Sequence, residues 1–351
     1  MANMAQAIRM ALHIGETELG VKDVFGEDVG PPLGGVFTCT QGIKCAWNSP
    51  LDERGIIGCA LGLALAGQRP VAEIQFADYI FNTIDLLKLC GNTRWVSNGQ
   101  WPVQMVVMVP VGAGIHGSIY HSHSFESVMT HLQGWKIVIP STPLDAFGLM
   151  LSAIKDPNPV MYLIPKALLR SRGEEKIPGE PEDPKELNTM IDAPLGDRSK
   201  WKPVWPKLKD PNMLLGKAKI CLGGRDVSVI TYGRMVFKCV EAAQKLKEQD
   251  NISVEVIDLR TLFPYDQEAI FDSVKKTGRV VVVNEDTEVT NYGEHILRRI
   301  TEDCFYSLEA PPALLAGANV PGVGLAEPLE EASVPQTSYI IDTVRRVVKQ
   351  S

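Results

Sequence analysis

The sequence predicts an α/β protein with a parallel sheet in its first part and a second, smaller α/β domain after it. Apolar runs of strand length alternate with helical patterns over residues 1–165, and the alternation resumes at residue 217. Strands that alternate with helices are typical of a parallel sheet. The stretch 171–215 is charged and proline-rich without a sustained period, and we interpret it as a linker rather than part of a core. We therefore expect domains at 1–170 and 216–351.

The pattern predicts each element of the first domain in turn. An amphipathic helix covers the N-terminal 20 residues, and a short strand at 21–25 leads into the Gly-rich loop PPLGGVF. Further strands are expected at 71–76, 103–109, 136–139 and 160–164, with helices at 79–90, 125–132 and 143–154. The run at 103–109 is apolar throughout, as expected for a strand covered on both faces.

The second domain repeats the alternation in a smaller βαβαβ unit. Its predicted strands are 227–232, 254–257 and 279–283, and its helices are 235–249, 267–276 and 294–304. Its loops carry no Gly-rich phosphate-binding pattern, so we expect a structural or oligomeric role.

The stretch from Ser49 to Phe81 carries the first candidate for chemistry. Ser49 fits an N-cap, Pro50 the first helical position, and Asp52 completes an S-x-x-D capping box. The helix that follows has no charge after Arg54 and should be buried. Glu53 lies in its first turn, where burial would perturb the carboxyl pKa. Acidic residues are also common there because the helix dipole favours them, so the pattern alone leaves both interpretations open.

Composition excludes several classes of protein. The net charge of −7 argues against nucleic acid or an anionic membrane as the main partner. No uncharged apolar run approaches the length of a membrane span. The seven cysteines include no C-x-x-C pair, so neither a disulfide framework nor a zinc or iron–sulfur site is indicated. Because the N-terminus also lacks the apolar core of a signal peptide, we expect a cytoplasmic protein.

Four histidines fall within sixteen residues of a loop rich in Gly and Ser; they are His116, His121, His123 and His131. A metal site is one interpretation, although the i, i+2 spacing of His121 and His123 matches no zinc pattern. A second interpretation is acid–base catalysis by one of the histidines. A polar loop with exposed histidines is the third, and composition favours it.

Eight blocks of sequence, in one order along the chain, resemble the β subunit of the thiamine diphosphate-dependent decarboxylase of 2-oxo acid dehydrogenase complexes. The blocks are GEDVG at 26–30, GGVFTCTQG at 34–42, PLDERGIIG at 50–58, EIQFADYIF at 73–81, GSIYHSHSFES at 117–127, KIVIPSTPLDAFGLMLSAIKDPNPV at 136–160, VEVIDLRTLFPYD at 254–266 and KKTGRVVVVNED at 275–286. The resemblance covers nearly the whole chain outside 171–215. GGVF-x-CT together with EIQFADYIF is similar to the branched-chain (2-oxoisovalerate) type.

The resemblance implies a transketolase-like fold, with a pyrimidine-binding domain followed by a transketolase C-terminal domain. It implies the oxidative decarboxylation of 3-methyl-2-oxobutanoate and related branched-chain 2-oxo acids, with transfer of the acyl group to a lipoyl domain. A pyruvate or acetoin dehydrogenase β subunit, and a catalytically silent assembly subunit of the same fold, stay open as alternatives.

The resemblance also implies roles for single residues. Glu53 matches the glutamate that hydrogen-bonds the aminopyrimidine N1′ of thiamine diphosphate, and Gln75 and Tyr79 match residues near the cofactor ring. His121 matches a histidine linked to proton transfer and to acylation of the lipoyl group. Asp156 and Asn158 match a potassium site built mainly from carbonyl oxygens, although D-P-N-P is also a good turn.

One motif of thiamine enzymes is missing from the sequence. The G-D-G segment with a distant Asn, which holds Mg²⁺ and the diphosphate, does not occur. The resemblance therefore implies an α partner, an α2β2 heterotetramer with cofactor sites shared between α and β, and delivery to a lipoyl-bearing acyltransferase.

The chain departs from the family pattern at four places. The run before Glu53 is shorter than usual, and the linker 171–215 is longer. NEDTEVTNYG at 284–293 replaces the usual H-E-A segment, and GANVPGVGLAEPLEE at 317–331 replaces a D-T-P-x-P pattern. The first departure affects the substrate side of the site, and the last two affect the second domain.

Overall fold

The computed structural model describes residues 1–194, 196–198 and 200–350. The chain forms two compact units: unit 1 comprises 1–110 and 132–215, and unit 2 comprises 111–131 and 216–351. The division at residues 170 and 215 stays a prediction.

Helices and strands are numbered in chain order. The helices are α1 Met4–Glu18, α2 Glu53–Leu65, α3 Ile84–Val96, α4 Glu126–His131, α5 Pro143–Lys155, α6 Pro184–Ile191, α7 Met235–Asp250, α8 Gln267–Thr277, α9 Tyr292–Cys304, α10 Glu327–Ser333 and α11 Thr337–Lys349. The strands are β1 Val24–Gly26, β2 Ala46–Asn48, β3 Val71–Glu73, β4 Val106–Val111, β5 Lys136–Val138, β6 Val160–Pro165, β7 Lys219–Leu222, β8 Val227–Thr231, β9 Val254–Asp258, β10 Thr261–Phe263, β11 Val280–Thr287 and β12 Ala313–Gly317. No helix of the described residues is long and apolar enough to cross a membrane.

Unit 1 is built around a sheet whose strands lie in the order β5-β6-β4-β3-β1-β2. The pairs β1–β2, β1–β3, β3–β4 and β5–β6 are parallel, as the alternation of elements predicts. Helices α1 and α5 pack together, and each contributes seven buried residues to the core. Helix α1 begins with a capping box, in which the Asn3 side chain accepts from the Gln6 N–H at 2.9 Å and the Gln6 side chain accepts from the Asn3 N–H at 3.0 Å.

Unit 2 contains a five-stranded sheet in the order β12-β11-β8-β9-β7. The three predicted strands form its centre as β11, β8 and β9, and their pairings are parallel. Strand β7 pairs antiparallel with β9, and β12 pairs parallel with β11. These two strands were not predicted from the sequence.

Helix α2 begins later than predicted. Its N-cap is Asp52, whose side chain accepts from the Gly55 N–H at 3.0 Å, so the prediction of Ser49 as the cap is wrong. The Ser49 N–H donates to Gly26 O at 2.9 Å and thereby continues the β1–β2 pairing. Because the sheet holds Ser49, the first residue free to cap is Asp52, which leaves Glu53 at the first helical position.

The prediction that α2 is buried is wrong for this chain by itself. Its core side carries Ile56, Ile57, Ala60 and Leu61, whereas Gly55, Cys59, Gly62, Leu65 and Ala66 lie exposed on the other side. A Cβ added at Gly58 or Gly62 would have no atom within 4 Å. Within the described residues of the chain, therefore, only one side of this apolar helix is buried.

The stretch 171–215 contributes to the core of unit 1, contrary to its interpretation as a linker without a core role. Ile177, Leu187 and Ile191 are buried in that core. The guanidinium of Arg9, 1% exposed, donates to Ile191 O at 2.7 Å and pairs with Asp192 at 3.0 Å. A buried charge needs such partners, so Arg9 fixes the end of α6 against α1.

Candidate functional site

The carboxyl edge of the unit 1 sheet collects the acidic residues that the sequence singled out. Gly26, at the end of β1, is in register with Asn48 of β2 and Glu73 of β3. Glu27 follows β1 directly, and Gln75 lies two residues beyond β3. In open parallel sheets, ligands bind outside the carboxyl ends of the strands. This edge is therefore the candidate site.

Backbone and side-chain hydrogen bonds fix the loop after β1. The Gln75 amide donates to Glu27 O at 3.3 Å and to Asp28 Oδ2 at 3.4 Å. Asp28 adopts a left-handed conformation with φ 56°, and its carbonyl accepts from the Gly35 N–H at 2.8 Å. The Gly30 N–H donates to Asn48 Oδ1 at 2.6 Å. The loop is thus tied to both neighbouring strands.

Glu53 lies half-buried at the start of α2 and accepts a hydrogen bond from Asn82. Asn82 Nδ2 donates to Glu53 Oε2 at 3.1 Å. Arg54 orients Asn82 in turn: it donates to Asn82 O at 2.9 Å and forms a bidentate pair with Asp85 at 2.5 and 3.0 Å. Asn82 was missed by the sequence reasoning, although it follows the EIQFADYIF block directly.

Glu27, Glu53 and Tyr79 lie in one electrostatic neighbourhood. Desolvation, then the charges of Glu53 and Asp28, raises the pKa of Glu27. Desolvation, then the charges of Asp78, Glu27 and Glu53, raises the pKa of Tyr79. The structure therefore brings together Glu53, Gln75 and Tyr79, and adds Glu27 to them. The only sequence signal for Glu27 is its position directly after the first strand.

Glu73 is the most deeply buried carboxyl at this edge. It is 4% exposed, and burial raises its pKa from 4.5 to about 8. Gly35 lies close by, since a Cβ added there would be 3.7 Å from Glu73 Oε1. Glu73 is therefore mostly protonated at neutral pH, a property that the sequence does not reveal.

His121 lies in unit 2, on the loop that connects β4 to α4. Its Nδ1 is 3.2 Å from Gly117 O, a contact that favours the tautomer with the proton on Nδ1. The acceptor atom of the ring is then Nε2. His116 and Ser118 have left-handed φ angles of 55° and 58°, which fold the loop tightly on either side of Gly117.

Two of the departures from the family pattern hold this loop in unit 2. In the segment 284–293, Glu285 accepts from the Ala113 N–H at 3.2 Å, and Asp286 accepts from the Ser127 hydroxyl at 2.5 Å. In the segment 317–331, Glu330 accepts from the Gly114 N–H at 2.5 Å and lies 2.7 Å from His116 Nδ1. The changed segments therefore help to fix the loop that carries His121.

Asp156 and Asn158 lie at the amino end of β6, whereas the site lies at carboxyl ends. The N–H and the side-chain amide of Asn158 both donate to Asp156 Oδ1 at 2.9 Å, and Lys136 pairs with Asp156 Oδ2. These bonds form the turn that the sequence offered as the other interpretation. Potassium binding here stays a prediction. The described residues contain no group of three or more His, Cys, Asp or Glu that could hold a metal ion, so the histidine loop gains no support as a metal site.

The fold and the site together define a two-domain chain of the transketolase type. Residues 2–172 match the transketolase pyrimidine-binding domain, and residues 216–340 match the transketolase C-terminal domain. A solved structure titled "Split gene transketolase, inactive beta4 tetramer" superposes with a TM-score of 0.70 at 18% identity, covering 99% of this chain and 98% of that one. The predicted fold class is thereby confirmed.

The chain belongs to the family of 2-oxo acid dehydrogenase β subunits, as the resemblance indicated. It is 38% identical to the 2-oxoisovalerate dehydrogenase β subunit of Bacillus subtilis, over 88% of this chain and 86% of that one. It is also 38% identical to the mitochondrial 2-oxoisovalerate dehydrogenase β subunit of Dictyostelium discoideum, over 91% of this chain and 80% of that one. The pyruvate dehydrogenase E1 β subunit of Acholeplasma laidlawii is 37% identical, over 98% and 96%. These identities do not separate the branched-chain type from the pyruvate type.

Proposed function

We propose that the chain is the β subunit of a branched-chain 2-oxo acid dehydrogenase and acts on 3-methyl-2-oxobutanoate. The observation that carries the proposal is the placement of Glu53, half-buried at the start of α2, beside Gln75, Tyr79 and Glu27 at the carboxyl edge of the unit 1 sheet. Relatives named 2-oxoisovalerate dehydrogenase from a bacterium and a eukaryote, each 38% identical, support this substrate class.

The residues at this edge fit thiamine diphosphate. Asn82 occupies one acceptor position of the Glu53 carboxylate, which would leave acceptor positions for a hydrogen bond with the cofactor's ring. When bound, the cofactor acts as the electron sink for decarboxylation of the 2-oxo acid. Glu53 would orient the pyrimidine ring, and Gln75 and Tyr79 would line it. His121 Nε2 would accept or donate a proton during acyl transfer to the lipoyl group.

An α subunit would complete the site and bring the residues that hold Mg²⁺ and the diphosphate. The exposed face of α2 supports such a partner, because its small residues allow another backbone to approach closely. We propose an α2β2 heterotetramer that passes acyl groups to a lipoyl-bearing acyltransferase in the cytoplasm. Potassium at Asp156 and Asn158 would be structural.

The test is 2-oxo acid-dependent dye reduction by this chain co-purified with its α subunit, in the presence of thiamine diphosphate and Mg²⁺. We expect a strong preference for 3-methyl-2-oxobutanoate over pyruvate. A preference for pyruvate would assign the chain to the pyruvate dehydrogenase type. The 37% identity to the Acholeplasma laidlawii protein supports this second candidate. Activity of this chain alone would contradict the shared site.

A substitution separates catalysis from a silent scaffold. Glu53→Gln keeps the size of the side chain and should lower turnover about 100-fold or more, the usual contribution of such a group. Gel filtration should show an unchanged assembly. The matched control is Glu18→Gln, an exposed carboxyl in the last turn of α1, which should retain full activity. Equal activity of the two variants would exclude the role given to Glu53.

A further inference from the structure

Unit 1 contains a cavity of about 1090 Å³ that the candidate cofactor site does not use. Its walls are the loop residues 31–34 and 40–44 on one side and residues 196–198, 201–203 and 205 on the other. Glu53, Gln75 and Tyr79 are not among the lining residues. The second wall comes from the stretch 171–215, which is longer in this chain than the family pattern predicts. The cavity volume is slightly above the usual range of small-molecule sites, which is about 300–1,000 Å³.

Buried contacts hold the floor of the cavity in place. Gln41, 7% exposed, lines the cavity, and its Oε1 accepts from Arg9 Nη1 at 3.3 Å and from the Ala193 N–H at 3.3 Å. The same Arg9 is bonded to Ile191 O and Asp192. The two walls are therefore joined through one buried arginine.

Close packing also fixes the aromatic side of the cavity. Gly42 has φ +82°, and a Cβ there would lie 2.9 Å from Pro203 Cγ and 3.0 Å from Trp201 Cη2. Only glycine permits both this conformation and this approach. The Trp205 ring stacks on His13 with centroids 4.3 Å apart and planes inclined by 9°. Both indoles that line the cavity are thus positioned before any ligand arrives, which reduces the entropy cost of binding.

The charges that line the cavity are mainly positive, although the chain as a whole carries −7. Lys44, Arg198 and Lys202 face one acidic residue, Asp197. Arg198 Nε donates to Pro194 O at 3.3 Å and Nη1 to Pro32 O at 3.4 Å. Those bonds hold the guanidinium, which has further N–H donors on Nη2 for an anion. Planar indoles beside several cations suit a ligand that has an aromatic ring and a phosphate.

We propose that this cavity binds a nucleoside diphosphate, with the base against Trp201 or Trp205 and the phosphates on Arg198 and Lys202. The site is separate from the cofactor site, so the proposal does not depend on the proposed function.

The test is calorimetric titration of this chain, co-purified with its α subunit, with ADP in the presence of Mg²⁺ and saturating thiamine diphosphate. We expect ADP to bind, and adenosine and inorganic tripolyphosphate to bind at least about tenfold more weakly because each lacks one half of the ligand. Arg198→Gln combined with Lys202→Gln should weaken ADP binding about tenfold or more. Arg198 and Lys202 are both exposed, so the double variant should fold normally.

The matched control is Lys200→Gln combined with Lys207→Gln, which removes two exposed charges from the same stretch without touching the cavity wall. It should change the affinity for ADP less than twofold. The proposal is overturned if ADP gives no binding heat, if thiamine diphosphate displaces ADP, or if both double variants weaken binding equally. Tripolyphosphate that binds as tightly as ADP would overturn the assignment of a nucleotide.

Discussion

Replacing Glu73 with glutamine should remove a pH-dependent loss of stability from unit 1. Burial raises the pKa of Glu73 from 4.5 to about 8, so the folded state keeps a proton that the unfolded chain releases. A carboxyl whose pKa is raised by folding favours the folded state fully below its unfolded pKa, and this contribution is lost as the pH rises through its folded pKa. For Glu73 the window runs from about pH 4.5 to about pH 8.

The size of the effect follows from the two pKa values. At pH 7 the unfolded carboxyl is ionised and the folded one still mostly protonated, which lowers the free energy of unfolding by about 3 kcal/mol relative to low pH. Glutamine is neutral at every pH and avoids this cost. We therefore compare the free energy of unfolding of Glu73→Gln with that of the parent at each pH. We expect this difference to shift by about 3 kcal/mol in favour of the variant between pH 5 and pH 8.

Urea unfolding followed by tryptophan fluorescence measures this directly, because all six tryptophans lie in unit 1. Midpoints at pH 5, 6, 7 and 8 give the change in free energy when the slope of the transition is unchanged. Glu18→Gln is the control, since it removes a carboxyl that is exposed on α1. If Glu73→Gln and the parent lose stability equally as the pH rises, the assignment of a buried protonated carboxyl is refuted.

Two further substitutions test local features of unit 1. Asp52→Ala should destabilise α2 by about 1 kcal/mol, because the helix loses its N-cap. Ser49→Ala should leave the thermal midpoint nearly unchanged. If Ser49→Ala destabilised the chain more than Asp52→Ala, Ser49 would be the N-cap, as the sequence predicted. Arg9→Met should lower the free energy of unfolding in urea by about 3 kcal/mol, because Asp192 loses its cation and the Ile191 carbonyl loses its donor. The control is Lys22→Met, a substitution at an exposed position, which should have little effect. An Arg9→Met variant as stable as the parent would contradict the anchoring of α6.

The order of strands and helices was predictable from the sequence because it depends on hydrophobic periods that each segment carries by itself. Glu53 was correctly placed in the first turn of α2 for the same local reason. The N-cap was not predicted correctly. The Ser49 N–H donates to Gly26 O of β1, and this pairing is not visible in the local sequence. Local capping rules fail where tertiary pairing uses the same backbone group.

The stretch 171–215 shows a second limit of sequence reasoning. Its composition is that of a linker, yet α6 starts with Asp183 as N-cap and Pro184 at the first helical position, a helix start signal that the charged surroundings masked. The stretch enters the core through Ile177, Leu187 and Ile191, and its contact with Arg9 joins residues that are 182 positions apart in the sequence. A periodicity argument does not identify the buried arginine that pairs with the end of this segment.

The charge of the candidate site is the feature furthest from what the sequence reveals. Glu27, Asp28, Glu53 and Glu73 suggest four negative charges at one sheet edge, which would repel an anionic cofactor. In the folded chain Glu73 is mostly neutral at pH 7, and desolvation raises the pKa of Glu27 beside Glu53. The edge is therefore less negative than its composition suggests. Glu53, the carboxyl that we propose for the cofactor, is less buried than Glu73 and lies at the first position of α2. Burial thus reduces the negative charge beside Glu53, and only the three-dimensional arrangement shows which carboxyls are buried.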